Sequence, residues 1–414
     1  MFMSLEKLLA ELKAAQGAVV VATNRYLSDK FWIYCLIAGA LSYANLGTAA
    51  TLPEERADIL FHSYDSGDIT ISGPSVLVRK NFKEAISVYG NYYVDQVSSA
   101  SIDVITSGAS AYEEERTEYS LGAEYLYDKS TISLSGTQST ENDYEAKTLS
   151  FDISQDFFGD MTSLSMGYTY GDDIVRKAGN ETFEEATKRA RFRLGINQIL
   201  TPKWMLGLSL ESASDEGFLN NPYRTTHYLI TTTEGSTSVG SQDERYPNTR
   251  NSDSIALRTI YYLPYKASIR GEIRSFSDNW GIKANNAELR YIHPYRQVWR
   301  FQASIRSYQQ GQADFYSDLF PFFNSQDFIA RDKELSEYSS LSLGLGVLYE
   351  IKRKWAKSVD KTTLSLQFDH MEFDYQNFHD ATGRLDGSSG FAPGEEPLYS
   401  LSADIVRFFV SIYY

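Results

Sequence analysis

Read backward in twos from residue 414, the chain gives Tyr414, Ile412, Val410, Phe408 and Val406, an unbroken apolar file, while the intervening file carries Arg407 and Ser411. Period two is the strand signature, because successive side chains project to opposite faces. A strand with one apolar face that stops on an aromatic is an aggregation hazard when it forms the free edge of a soluble sheet. Paired with the first strand of a closed barrel it leaves no edge, and closure is what a sheet in lipid requires. The expectation is therefore an all-β chain closed as a transmembrane antiparallel up-and-down β-barrel.

The pattern recurs. Leu149, Phe151 and Ile153 alternate with Ser150, Asp152 and Ser154, and Trp299, Phe301, Ala303 and Ile305 alternate with Arg300, Gln302, Ser304 and Arg306. A helix would place leucine and arginine on one face. Such runs fall at about 69–81, 86–98, 115–127, 131–142, 145–157, 161–174, 187–199, 204–214, 252–263, 266–277, 282–293, 298–309, 336–351, 361–375 and 398–414, which makes fifteen. Their connections alternate between short turns, as at 128–130 and 201–203, and long loops, notably 98–114, 175–186, 215–251, 310–335 and 376–397. Short turns at one end and long loops at the other are the outer-membrane barrel rule. An N-terminus exported to the periplasm needs one more strand, which Ile59 to Tyr64 supplies, so sixteen strands are expected and Ile59 to Tyr64 should pair with the last. Fourteen follow if residues 59–73 enter the lumen instead. Gly73-Pro74 interrupts the second strand and marks either a bulge or its protein-lined upper part.

Composition agrees. Thirty tyrosines and 14% aromatics with a mean hydropathy of −0.35 are too polar for a helical membrane bundle, yet suit a polar lumen and interfacial aromatic girdles. A net charge of −15 argues against nucleic acid, which selects basic faces. The one cysteine, Cys35, lies in the apolar run Phe31 to Tyr43, preceded by Lys30 and followed by Ala44, Ala49 and Ala50. That run is too short to span a bilayer as a helix and reads as a signal peptide cleaved after one of those alanines. Trp32-Ile33-Tyr34 before Cys35 lacks the small residues of a lipoprotein site. Residues 1–50 are thus an extended N-terminal region with a signal, and residues 51–414 one barrel domain without cysteine.

Inward-facing charges are unevenly spread. Arg191, Arg193, Arg258, Arg270, Arg274, Arg290, Arg300 and Arg306 come from the second half with Glu272 and Glu288, and Arg407 joins them; Glu118, Glu124 and Asp152 come from the first. A basic wall opposed to an acidic one suits a channel for polar or ionic solutes. The same residues suit arginine–carboxylate ladders that pin the wall.

Several blocks carry a resemblance: Gly217 to Arg224, Arg245 to Arg250, Ala313 to Pro321, Ala330 to Ser336, Pro393 to Ser400, and Gly73 to Lys80. Over about residues 57–414 the chain resembles an uncharacterised family of bacterial outer-membrane barrel proteins, a domain of unknown function. The resemblance implies a Gram-negative outer membrane, contact with its lipid and insertion machinery, and a periplasmic neighbourhood of redox proteins, among them a small lipoprotein. The later blocks fall in or beside long loops. Asn220, Asn221, Tyr223, Arg224, Asp314, Tyr316, Asp318, Arg331, Glu395 and Glu396 are their candidate residues. They read either as turn chemistry and inward loop packing with Phe315 and Phe320, or as a binding surface at the mouth with Asp314, Asp318, Glu395 and Glu396 facing calcium. No metal or cofactor motif has recognisable spacing.

His227 and His379 sit in outer loops, where Asp215 or Asp380 offer orienting carboxylates, but no nucleophile elbow or metal-binding His pair accompanies them. A non-enzymatic, porin-like channel is the expectation; a docking barrel for a periplasmic redox lipoprotein is the alternative, and a barrel hydrolase comes third.

Overall fold

The alternating files become staves. The structure, a computed structural model, describes residues 51–67, 69–99, 112–231, 233–235, 237–352, 356–385 and 390–414. The expected signal peptide and Cys35 lie outside the described residues. The first staves are β1 (Arg56–Asp65), β2 (Ile69–Phe82), β3 (Ile86–Ser99), β4 (Tyr112–Tyr127), β5 (Ser130–Thr140), β6 (Tyr144–Phe157), β7 (Thr162–Lys177), β8 (Asn180–Thr201) and β9 (Trp204–Gly217). A separate hairpin follows, β10 (Thr225–Thr231) with β11 (Thr237–Asp243). The wall resumes with β12 (Thr249–Tyr262), β13 (Ser268–Asp278), β14 (Lys283–Tyr295), β15 (Trp299–Gln310), β16 (Tyr338–Ile351), β17 (Lys361–His379) and β18 (Leu398–Tyr413).

Sixteen of these strands close one antiparallel barrel, with β9 beside β12 and β1 beside β18. The closing seam has Ile59 opposite Val410 and Phe61 opposite Phe408, the pairing expected from the sequence. Sixteen staves enclose a lumen wide enough for water or inserted loops. Val406, Phe408, Ile59, Phe61, Val76 and Val78 are exposed on the outer face and form part of an apolar belt, while Arg407 and His62 point inward.

Toward the long-loop end the faces exchange character. On β18 the outward residues become Ser400, Ser402 and Asp404, and the inward ones Leu401, Ala403 and Ile405, the last two buried. The reason is a cap. Residues from the β9–β12 and β15–β16 loops fold into the mouth, and Leu219, Tyr246, Phe315, Tyr316 and Ala330 pack with the inward faces of Ile71, Tyr338, Phe373 and Ile405. The rings of Tyr246, Trp280 and Phe315 form a triangle with centroids 5.2 to 5.7 Å apart. Each such buried ring stabilises the cap by about 2 kcal/mol.

One local expectation is corrected, and another is decided between its alternatives. The long loop at 175–186 is instead a tight turn between Lys177 and Asn180, with Gly179 at φ +79° and β8 extended back to Asn180. At Gly73-Pro74 there is no bulge, and the segment is the protein-lined upper part of β2, with Ile69 and Ile71 buried in the core that the cap shares. Pairing to β3 lapses between Ser72–Gln96 and Ser75–Tyr93, yet the register is the same on both sides, because proline lacks the ladder donor but extra backbone is not inserted. Glycine is required there by close approach, since a Cβ at position 73 would stand 1.8 Å from the Val94 carbonyl oxygen. Gly73→Ala is expected to destabilise the barrel by about 1–3 kcal/mol, read as an earlier urea midpoint in detergent. Gly136→Ala, whose nearest neighbour is 3.9 Å away, should leave the midpoint in place; equal midpoints for both variants would refute the argument.

Candidate functional lumen and its cap

Beneath the cap the inner files are polar. On β8, Phe192 and Ile196 are exposed on the outer belt, which turns Arg191 and Arg193 inward. Asp152, Gly167 and Arg193 share one row across β6, β7 and β8. Glycine in the middle lets Arg193 reach Asp152 at 3.1 Å, where a Cβ would stand 2.2 Å from the carboxylate. These side chains remain 43% and 44% exposed, and Arg191, 3.7 Å from Glu211, is 51% exposed. Water therefore reaches the middle of the lumen.

The remaining candidates sort by wall. Arg258 donates to Glu272 at 2.5 Å, Arg274 lies 3.5 Å from the same carboxylate, and Arg290 donates to Glu288 at 2.9 Å. Arg306 is bound to the Asn286 side chain; Arg270 lies opposite Arg290, and Arg300 is exposed near the short-turn end. In the first half Glu124 accepts from Arg79 at 2.8 Å and Glu118 pairs with Arg116. Arg79, Arg116 and Arg189 were not singled out in the sequence, and Arg189 faces Asp173 at 2.6 Å. So Glu118 and Glu124 are neutralised by arginines on their own strand and two strands away, respectively, rather than facing a basic wall unpaired. Arg407 similarly holds Asp369.

The loop candidates build the cap. Asn220 donates to the Glu244 carbonyl at 2.7 Å and accepts from the Tyr246 amide at 3.0 Å, and Asn221 accepts from the Tyr223 amide at 2.9 Å. The Tyr223 hydroxyl bonds Asp143 and accepts from the Ala178 amide, tying the cap to the β5–β6 and β7–β8 turns. On the far side Tyr316 donates to the Asn377 carbonyl at 3.0 Å. Arg331 donates to the Asp318 carboxylate at 2.8 Å and to the His379 carbonyl at 2.9 Å, with its guanidinium 4.5 Å from the centre of the Phe378 ring. The two long loops are joined by backbone bonds, Leu229 to Phe320 at 2.9 Å and Arg245 to Ile329 in both directions.

Two of the four carboxylates considered for calcium, Asp318 and Glu396, have partners within the cap. Asp318 is held by Arg331 and by His379 at 2.9 Å, Glu396 is buried and accepts from the Gly394 amide at 2.7 Å, Asp314 lies against Gly281, and Glu395 is exposed. Glu114, Glu141 and Asp143 instead bring carboxylate oxygens within 4.8 Å of one another. His379 is oriented by Asp318 rather than by Asp380, which bonds Thr382. His227 is buried within the cap.

A charged cluster lies inside the cap. Arg224 pairs with Asp332, and Glu244 accepts from the Arg331 amide at 2.7 Å and from the Tyr246 hydroxyl. Burial, and then the charge of Asp332, pushes Glu244 up to about 7, against the opposing pull of Arg224. A carboxyl raised from 4.5 to about 7 on folding favours the packed cap fully below pH 4.5 and loses that contribution as pH rises through 7. At 1.36 kcal/mol per unit the loss is on the order of 3 kcal/mol. Amide exchange of residues 218–247 and 313–335 is therefore expected to accelerate between pH 5 and pH 8 beyond its intrinsic dependence. Glu244→Gln should flatten the excess, and an equal pH dependence in that variant would remove Glu244 as its source.

Among solved structures, the chain is similar to a bacterial polysaccharide outer membrane secretin, with 7% identity, a TM-score of 0.45, and coverage of 88% of this chain and 100% of that one. It is also similar to the siderophore receptor PirA from Pseudomonas aeruginosa, with 10% identity, a TM-score of 0.41 and coverage of 80% and 60%. A third is a loop-deletion form of OmpT, an outer membrane protein of Vibrio cholerae, with 7% identity, a TM-score of 0.38 and coverage of 87% and 98%. No curated protein matches. The sequence model of a family described as protein of unknown function, DUF3570, matches residues 70–389, and the chain belongs to that family.

Proposed function

We propose that the chain is an outer-membrane channel for small polar or ionic solutes, gated at its outer mouth by the cap. The observation that carries this is the water-exposed charge of Arg191, Arg193 and Asp152 inside a closed sixteen-strand barrel. A lumen filled by ladders would bury those groups. In this reading the short turns face the periplasm, the apolar belt meets lipid, and solute enters from the periplasmic side up to the cap. Passage requires the cap to loosen, which the ionisation of Glu244 favours.

Planar-bilayer recording of the purified protein tests the proposal. Brief openings are expected at pH 5, with a higher open fraction at pH 8. Silence at every voltage and at both pH values would sink the channel, and co-purification of a periplasmic protein with a silent barrel would favour docking instead.

A further inference from the structure

We propose that the inner wall of β12 to β15 is the selectivity surface of this channel and that it takes small oxyanions, solutes bearing phosphate or carboxylate groups. The inference rests on the channel reading. That wall presents Arg258, Arg270, Arg274, Arg290, Arg300 and Arg306 against two carboxylates, Glu272 and Glu288. At its long-loop end Arg250 and Asp278 neutralise each other at 2.6 Å. The wall therefore carries an excess of four positive charges.

The register sharpens the point. Arg270 stands directly opposite Arg290, and Glu272 directly opposite Glu288, on the same face of β13 and β14. Like charges side by side destabilise a sheet, and the rows Arg258-Glu272-Glu288-Arg306 and Arg270-Arg290 leave this wall with more arginines than carboxylates. Arg56 stands opposite Arg79 on the inner face of β1 and β2 in the same way, but there each arginine has its own carboxylate, Asp58 and Glu124, whereas on β12 to β15 two carboxylates serve six arginines. An anion that enters the lumen meets this excess of arginine. Every cation on this wall's inner face is arginine, whose planar fork donates two parallel hydrogen bonds to a phosphate or carboxylate edge. Low-dielectric walls focus the field of such a patch into the lumen.

Reversal potentials of the full-length protein under a potassium chloride gradient provide the test, with inorganic phosphate as the probe. Chloride should carry most of the current, and phosphate should block it. The double variant Arg270→Gln, Arg290→Gln should weaken that block roughly tenfold, the equivalent of one lost charge-assisted contact. Lys129→Gln, in the β4–β5 turn across the barrel, should leave the block unchanged. Heat-modifiable gel mobility checks that each barrel is closed. Current with a cation preference, or current indifferent to phosphate, overturns the oxyanion inference and leaves the channel standing. No current in any salt overturns both.

Discussion

Replacing residues 314–332 with a short Gly-Ser linker is expected to leave the barrel intact and hold its mouth open. The geometry of the loop base makes the deletion local. The Ala313 amide donates to the Leu335 carbonyl at 2.8 Å, so the two ends of the excised segment already meet. Gln310 at the end of β15 also bonds the Glu334 and Ser336 carbonyls, at 2.8 and 2.9 Å, and keeps the β15–β16 connection in place. What is lost is the cap's share of the dry core, Phe315, Tyr316, Phe320 and Ala330, together with Arg331 and its bonds to Asp318 and His379. The β10–β11 hairpin loses its backbone partner Phe320, and Arg245 beyond it loses Ile329. A closed-state preference of about 3 kcal/mol or more is removed with them, which corresponds to an open fraction raised by roughly 100-fold. Single-channel recording and liposome swelling in small sugars measure the effect. If the variant reaches the membrane with wild-type heat-modifiability and unchanged conductance, the cap is not the gate.

Much of the wall was legible because lipid and water impose opposite demands on adjacent residues. Ile59 to Tyr64 could be matched to the closing strand from alternation and parity alone, and the register pairs Ile59 with Val410. The cap was less legible, since its partners come from loops far apart in sequence. Tyr246 and Trp280 meet although each, read locally, is an aromatic in a polar turn. One signal was available: Asp404 interrupts the outward file that runs from Val406 to Tyr414, so the strand must leave the apolar belt there. From that point Leu401 and Ile405 must be covered from inside, which implies an inserted loop. The β10–β11 hairpin also had a local signature, the Glu234-Gly235 turn between Thr-rich runs, but it lay inside a stretch read as one loop. Arg79 and Arg116 escaped notice because an arginine on an inner file becomes informative only when its carboxylate is known.

Deletion of Tyr413 and Tyr414 is expected to abolish recovery of the folded barrel from the membrane. These two residues tie the last stave to three others at the short-turn end. Tyr413 lies opposite Arg56 of β1 and Lys361 of β17, and its carbonyl accepts from the Asp360 amide at 2.7 Å. The Lys361 ammonium sits 4.1 Å from the centre of the Tyr413 ring and is itself held by Glu54 at 2.9 Å. The Tyr414 hydroxyl reaches past β1 to donate to the Arg79 carbonyl of β2 at 3.0 Å, under the Lys80 ammonium at 5.2 Å. Without them the closing seam begins with unpaired backbone at the membrane interface, where each unsatisfied group costs several kcal/mol. Membrane fractionation and heat-modifiable mobility read the outcome, and Tyr413→Phe, which keeps the ring and the ladder, should behave as wild type. Refolding the truncated chain into detergent separates two causes. A seam that cannot close predicts failure there too, whereas a lost recognition signal for the insertion machinery predicts normal refolding in detergent and failure only in the cell. Wild-type insertion of the truncation in cells would refute both, and with them the assignment of β18 as the stave on which closure depends.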